Sequence, residues 1–118
     1  MLPPKNRLKK KTDFKRIFKE GKGFKEDFLI LKTKNNNLNY SRFGFIVGKN
    51  FSKKATLRNE IKRKLRELIR IRMPEIKKGM DTVLIVTPGL GNKDFWEIRE
   101  ILNKLLKKAR LIPTKLIY

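Results

Sequence analysis

Asp81-Thr82-Val83-Leu84-Ile85-Val86-Thr87 is a nearly continuous apolar run, closed by Pro88. A strand with one solvated face alternates polar and apolar side chains. A run apolar at successive positions belongs in the middle of a sheet with both faces covered. The flanking sequence must supply the cover. Downstream, Asn92 or Asp94 can cap a helix in which Phe95, Ile98, Leu102, Leu105, Leu106 and Ala109 recur at three- and four-residue steps until Pro113. Upstream, residues 55–72 form a helix stopped by Pro74. Its Leu57, Ile61, Leu65 and Leu68 fall within about 80° of one another, a stripe that packs on a sheet.

Farther toward the N-terminus, residues 28–33 read Phe-Leu-Ile-Leu-Lys-Thr, rich in strand formers, and residues 34–39 carry four asparagines, a turn. Residues 42–49 alternate, with Phe43, Phe45 and Val47 on one side and Arg42, Gly44, Ile46 and Gly48 on the other. The two runs are expected to pair as an antiparallel hairpin with a long loop. Before them, Thr12 or Asp13 can cap a short helix over 12–20 that buries Phe14, Ile17 and Phe18 and stops at Gly21. Residues 1–11, with two prolines and five Lys or Arg, read as a basic arm. The expectation is an α/β (α+β) sandwich, helices on one small sheet, in a single domain over residues 1–118.

The chain carries 32 Lys or Arg against 11 Asp or Glu, a formal charge of +21. It has neither cysteine nor histidine, which excludes disulfides, Cys/His zinc sites, thiol nucleophiles and histidine acid–base chemistry. Such a charge repels itself in a compact state, and its natural complement is a polyanion. The apolar runs are too short to span a bilayer and the opening residues lack the apolar stretch of a signal peptide, so a soluble, cytoplasmic protein is expected. The cations are spread over the whole chain rather than along one membrane-surface helix, which favours nucleic acid over membrane.

The helix at 55–72 concentrates that charge. Arg58, Lys62, Arg66 and Arg70 step by four, with Asn59 and Arg63 beside them. The ordinary reading of a charged helix face is solvent exposure with intrahelical ion pairs, but only Glu60 and Glu67 stand against seven cations here. A face short of its own acids and rich in guanidinium forks is expected to bind phosphate. Lys49, Lys53 and Lys54 precede it, where loop amides and helix dipole would add to an anion site. The acids are scattered. Glu97 and Glu100 are helical neighbours but point away from the apolar stripe, and Glu60–Lys64 and Glu100–Lys104 pairs explain them better than a metal site. Gly89-Leu90-Gly91 lacks both the third glycine of a dinucleotide fingerprint and the Lys-Ser/Thr of a P-loop, and reads as a turn. Trp96 lies off the apolar stripe, as a cap on the sheet edge or a contact for a partner.

Arg58-Asn59-Glu60-Ile61-Lys62-Arg63-Lys64-Leu65-Arg66-Glu67, after Lys53-Lys54-Ala55, resembles the R-N-x-x-K-R-x-x-R-E signature of the bacterial ribonuclease P protein subunit. The opening Asn6-Arg7-Leu8-Lys9-Lys10, with Asp13-Phe14-Lys15-Arg16-Ile17-Phe18 and Gly21, is similar to the N-terminus of that family. In two places the chain departs from it: Asn50-Phe51-Ser52 replaces a loop that often holds glycine, and Leu31 stands where an aromatic is frequent. The resemblance implies the element order α-β-β-β-α-β-α, a mixed sheet of about four strands and a left-handed crossover at the signature helix.

The resemblance also implies a role beside a catalytic RNA, one protein per RNA. That RNA removes the 5′ leader of precursor tRNA with Mg²⁺ that it holds itself. No organic cofactor, membrane or obligate protein partner is implied. Carried over by position, Arg58, Lys62, Arg63 and Arg66 would contact RNA phosphates. Asn59 and Arg7 would meet leader or RNA, and Phe14 and Phe18 would line a leader cleft between the first helix, the sheet and the signature helix. From the residues alone, Phe14 and Phe18 read as anchors of a short helix. The alternative function is a structural basic RNA-binding protein of ribosomal type.

Overall fold

In the computed structural model, which describes residues 2–113, the elements run α1 (Lys11–Glu20), β1 (Lys22–Glu26), β2 (Leu29–Asn35), β3 (Arg42–Val47), α2 (Ala55–Arg72), β4 (Met80–Val86) and α3 (Phe95–Lys108). The sheet order is β1-β2-β4-β3. β4 is therefore interior, as its apolar run requires, antiparallel to β2 and parallel to β3. The expected hairpin between residues 28–33 and 42–49 does not form, because β4 inserts between β2 and β3 and takes the hydrogen bonds of both. The partner of β2 on its other side is β1, Lys-Gly-Phe-Lys-Glu, an edge strand too polar to announce itself by apolar alternation.

Each sheet face has its own core. On one, Leu29, Leu31, Phe43, Val47, Leu84 and Val86 pack against Ile61, Leu65, Leu68 and Ile69 of α2 and Ile98, Ile101, Leu102, Leu105 and Leu106 of α3. On the other, Val83 packs with Ile17 of α1 and with Leu8, flanked by Phe14, Ile46 and Ile85. The α2 stripe keeps three expected members. Leu57, in the first turn, is 45% exposed, and Ile69 takes the fourth place, giving an i, i+4, i+7, i+8 pattern from Ile61.

The helix ends differ in chemistry. α3 starts with a capping box: the Glu97 amide donates to Asp94 Oδ1 at 2.8 Å and the Asp94 amide to Glu97 Oε1 at 3.1 Å. α1 starts one residue earlier than expected, with Lys10 at its N-cap and no side-chain cap, so neither Thr12 nor Asp13 caps it. Asp13 instead faces Arg42 at 3.5 Å and Arg16 at 3.7 Å. Gly21 ends α1 with an extended backbone. A Cβ there would stand 2.5 Å from the Ile17 carbonyl and 2.9 Å from that of Thr33, so close approach is what requires glycine.

The expected basic arm is docked, not free. Of residues 1–11, Met1 lies outside the described residues. Leu2 and Leu8 are buried, Asn6 Nδ2 donates to the Ser41 carbonyl at 2.7 Å, and Arg7 bridges to Phe43. The Leu8 amide donates to the Phe43 carbonyl, so this segment covers part of the β3 edge.

Candidate nucleic-acid interface

The cations of α2 divide by what they touch. Arg58 is tied to its own loop, its Nη1 donating to the Ser52 carbonyl at 2.8 Å. The Arg66 guanidinium lies 5.9 Å from the centre of the Phe45 ring. Among the described residues, Arg58, Lys62, Arg63 and Arg66 have no carboxylate within 4.0 Å. Arg70 differs. It forms a fork on Glu67 at 2.5–3.1 Å, which raises its own pKa and lowers that of Glu67. Both partners are exposed, so the pair is weak and opens readily. Lys64 faces Glu60 at 3.7 Å as expected, and Arg72 faces Glu75 at 3.1 Å. Asn59, Arg63 and Arg66 line one cavity of about 240 Å³ together with Glu67.

Lys49, Lys53 and Lys54 are all exposed at the N-terminal end of α2. The N-cap side chain makes no capping bond; the Lys54 amide donates to Ser52 Oγ at 3.1 Å, the amides of residues 55–57 have no side-chain partner among the described residues, and the dipole adds its positive end to the three ammonium groups. Phe51 of the same loop leans on Gly91, where a Cβ would stand 3.0 Å from the ring. The Phe28 ring would lie 2.8 Å from a Cβ on Gly89, whose φ is 108°. The Gly89-Leu90-Gly91 turn is thus shaped by two rings and a left-handed residue, not by a nucleotide.

On the α1 face, strand register builds a groove. Lys25, Ile30, Ile85 and Ile46 stand side by side across the four strands. The next row is Gly23, Lys32, Val83 and Gly44, followed by Lys34, Asp81 and Arg42 on β2, β4 and β3. α1 covers these inner rows: the Phe14 ring sits where a Cβ on Gly44 would be 2.5 Å away, and Arg16 reaches Asp81. The row of three isoleucines stays half-buried, an apolar strip open to solvent. Phe18 and Phe28 are exposed, with Lys32 and Lys93 ammonium groups 5.7 and 5.8 Å from their ring centres.

Phe14 packs on Gly44 as the anchor of α1 and lies with Ile46 and Ile85 against the same small core, whereas the Phe18 ring is exposed. Arg7 is half-buried with its Nε donating to the Leu2 carbonyl at 2.9 Å. Asn59 is not brought to Phe14 and Phe18, because α2 packs on the opposite sheet face. Leu31 is fully buried on that same face, and the exposed ring of this stretch is Phe28, which packs on Gly89 and which the sequence presented only as the start of a strand.

The carboxylates are mostly spoken for. Buried Asp81 accepts a two-pronged contact from Arg42 at 2.8 and 2.6 Å, one from Arg16 at 2.8 Å and one from Asn36 at 2.9 Å. Its hydrogen bonds raise the Arg42 pKa still further. Glu97 is in the capping box, Glu26 pairs with Lys108, and Glu100 makes no ion pair with Lys104 among the described residues. Among those residues no three acidic groups converge as a metal site needs, and no helix is long and apolar enough to cross a membrane.

The ribonuclease P family model matches residues 2–110. The ribonuclease P protein component of Thermotoga maritima is 41% identical over 108 residues, covering 88% of this chain and 92% of that one. That of a Synechocystis strain is 38% identical over 113 residues, covering 94% and 90%. Two solved structures share the fold. The Staphylococcus aureus ribonuclease P protein has a TM-score of 0.85 at 30% identity, covering 92% of this chain and 98% of its own. The Thermotoga maritima protein has a TM-score of 0.80 at 40% identity, covering 86% and 96%.

Proposed function

Because this chain belongs to the ribonuclease P protein family, we propose that it clamps two RNAs at once: the catalytic RNA on α2 and its preceding loop, and the 5′ leader of precursor tRNA in the groove under α1. The chain is a protein component of the ribonuclease P ribonucleoprotein, an endonuclease of tRNA processing. One observation carries the reading: four cations on a single helix, Arg58, Lys62, Arg63 and Arg66, have no carboxylate against them among the described residues. Phosphates of the catalytic RNA supply the missing negative charge, and release of counterions drives the association. Lys49, Lys53 and Lys54 extend the contact across the α2 N-terminus, with Arg70 joining by exchanging Glu67 for phosphate. Asn59 donates to the RNA backbone between Arg63 and Arg66, and Arg7 joins from the β3 edge.

In the groove, Phe14, Phe18 and Phe28 offer ring faces beside the isoleucine strip, and Lys25, Lys32 and Lys93 follow the leader backbone. Stacking is tolerant of sequence and is worth about 1–3 kcal/mol per base, which suits a substrate class with many different leaders. The protein's contribution is to hold and orient the substrate. The hydrolysis belongs to the RNA. Mg²⁺ held by that RNA would supply charge stabilisation, and the carboxylates of this chain do not fit such a site, since Asp81 is enclosed by two arginines and Glu97 closes a helix cap. We assign the complex one protein per RNA, in the cytoplasm.

The test is reconstitution with a bacterial ribonuclease P RNA. Adding the protein should tighten binding of precursor tRNA much more than of mature tRNA, and Phe18→Ala should diminish that difference without weakening binding of the protein to the catalytic RNA. Equal tightening of both tRNAs would sink the leader assignment. Co-purification with ribosomal subunits would point to a structural RNA-binding role instead.

A further inference from the structure

We propose that Trp96 is a stacking platform for an unpaired nucleobase of an RNA partner, a second single-strand contact on the sheet face opposite the groove. The proposal rests on the RNA-binding reading above. Trp96 is 67% exposed, more than any other large hydrophobic side chain among the described residues. Its place off the apolar stripe of α3 keeps it out of the core, and the fold leaves it exposed. The ring is nonetheless held: Phe95 meets it edge-on with centroids 5.5 Å apart and planes at 81°, and the Arg99 guanidinium lies 5.8 Å from its centre.

These residues border a cavity of about 290 Å³ between the end of α2 and the start of α3, lined also by Leu68, Ile71 and Arg72. Its size approaches the lower limit of small-ligand sites, enough for one base and too little for a helix. Ile71, at 56% exposure, extends the apolar wall.

The polar groups at the rim suit a base. Arg72 Nη1 pairs with Glu75 at 3.1 Å at the edge of the cavity. Asn103 brings an amide that can both give and accept, the type that pairs with base edges. With Glu75 taken by Arg72, Arg99 leaves the rim positive, and Glu100, the next residue of α3, does not line the cavity. A flat apolar ring beside a guanidinium with no carboxylate partner among the described residues matches a nucleotide, whose base stacks and whose phosphate meets the cation. A second copy of a chain of charge +21 is repelled instead.

Trp96 is the only tryptophan of the chain, so its emission reports this site alone. The full-length protein is titrated with single-stranded oligoadenylate and oligouridylate, and separately with inorganic tripolyphosphate, while anisotropy of labelled oligonucleotide follows binding independently. Stacking predicts that the oligonucleotides quench Trp96 emission and that tripolyphosphate does not. Trp96→Ala should weaken the labelled strand about fivefold to a hundredfold, with Trp96→Phe retaining most of the affinity and both melting as the parent does.

Binding seen by anisotropy with unchanged emission, and equal affinity for Trp96→Ala, overturns the platform and leaves the RNA-binding reading intact. Absence of binding to any RNA, including a ribonuclease P RNA, overturns both. An emission change that follows protein concentration alone and marks a dimer that Trp96→Ala dissolves, or one evoked by polyglutamate and not by RNA, overturns the proposal in favour of a protein partner.

Discussion

Arg63 and Arg66 lie three residues apart on α2 yet touch different things, and their alanine variants should differ accordingly. Arg63 is exposed, so Arg63→Ala should lower RNA affinity and flatten the salt dependence by about one unit of slope while leaving thermal melting unchanged. Arg66 covers the Phe45 ring, and Arg66→Ala should add a stability loss of about 0.5–1 kcal/mol to a similar affinity loss, read by urea unfolding. A drop in melting for Arg63→Ala as large as for Arg66→Ala would mean that both are structural. Asp81 is the opposite kind of residue. Asp81→Asn removes the buried charge that Arg16 and Arg42 share, and is expected to cost about 3–5 kcal/mol in urea unfolding because both guanidiniums keep only their longer contacts to Asp13. The cationic row could be read from sequence because a helix has one period and acids can be counted along it. The Asp81 cluster could not, since its partners stand 65, 39 and 45 residues away. The isoleucine strip was hidden for the same reason: Ile30, Ile46 and Ile85 meet only once strand register is known.

The elements show where local pattern is enough. α2 appears at its expected bounds and β4 where its apolar run demanded, because periodicity and proline stops act within a few residues. Strand pairing is not local. Proximity in sequence favoured β2 with β3, and the affinity of both for the apolar β4 overrode it. β1 contributes backbone pairing and the half-buried Phe24, and an ion pair adds to its attachment to α3: Lys108 donates to Glu26 and lowers that carboxyl's pKa. A lowered folded-state pKa means that the stabilisation is present above the unfolded carboxylate value and is lost as pH falls through the folded one. Lys108→Ala should therefore be less stable than the parent at neutral pH and indistinguishable from it in acid, as measured by denaturant midpoints across pH. α1 docks by steric fit at Gly44, where a Cβ would meet the Phe14 ring at 2.5 Å. Gly44→Ala should cost about 1–3 kcal/mol by overpacking. In the double variant with Phe14→Ala the two losses should be clearly less than additive, and strict additivity would place the ring elsewhere.

For the molecule entire, the dominating quantity is +21 on 118 residues. Two core faces hold the chain together against that self-repulsion, and the charge acts in opposite senses on folding and on binding. Salt screens repulsion between the chain's own cations, so moderate salt should raise the melting temperature of the free protein. The same salt opposes RNA binding, because the counterions that phosphate contacts would release are already abundant. If Arg58, Lys62, Arg63 and Arg66 each neutralise one phosphate, α2 alone contributes a slope of about −3 to −4 in log affinity against log salt. Replacing all four with glutamine should remove that portion of the slope, while the salt dependence of melting weakens only in part, because 17 of the 21 net positive charges remain. A quadruple variant that keeps the parental slope would move the phosphate contacts off α2. A parent protein whose melting temperature falls as salt is added would show that its cations are balanced internally, and the external polyanion would lose its physical reason.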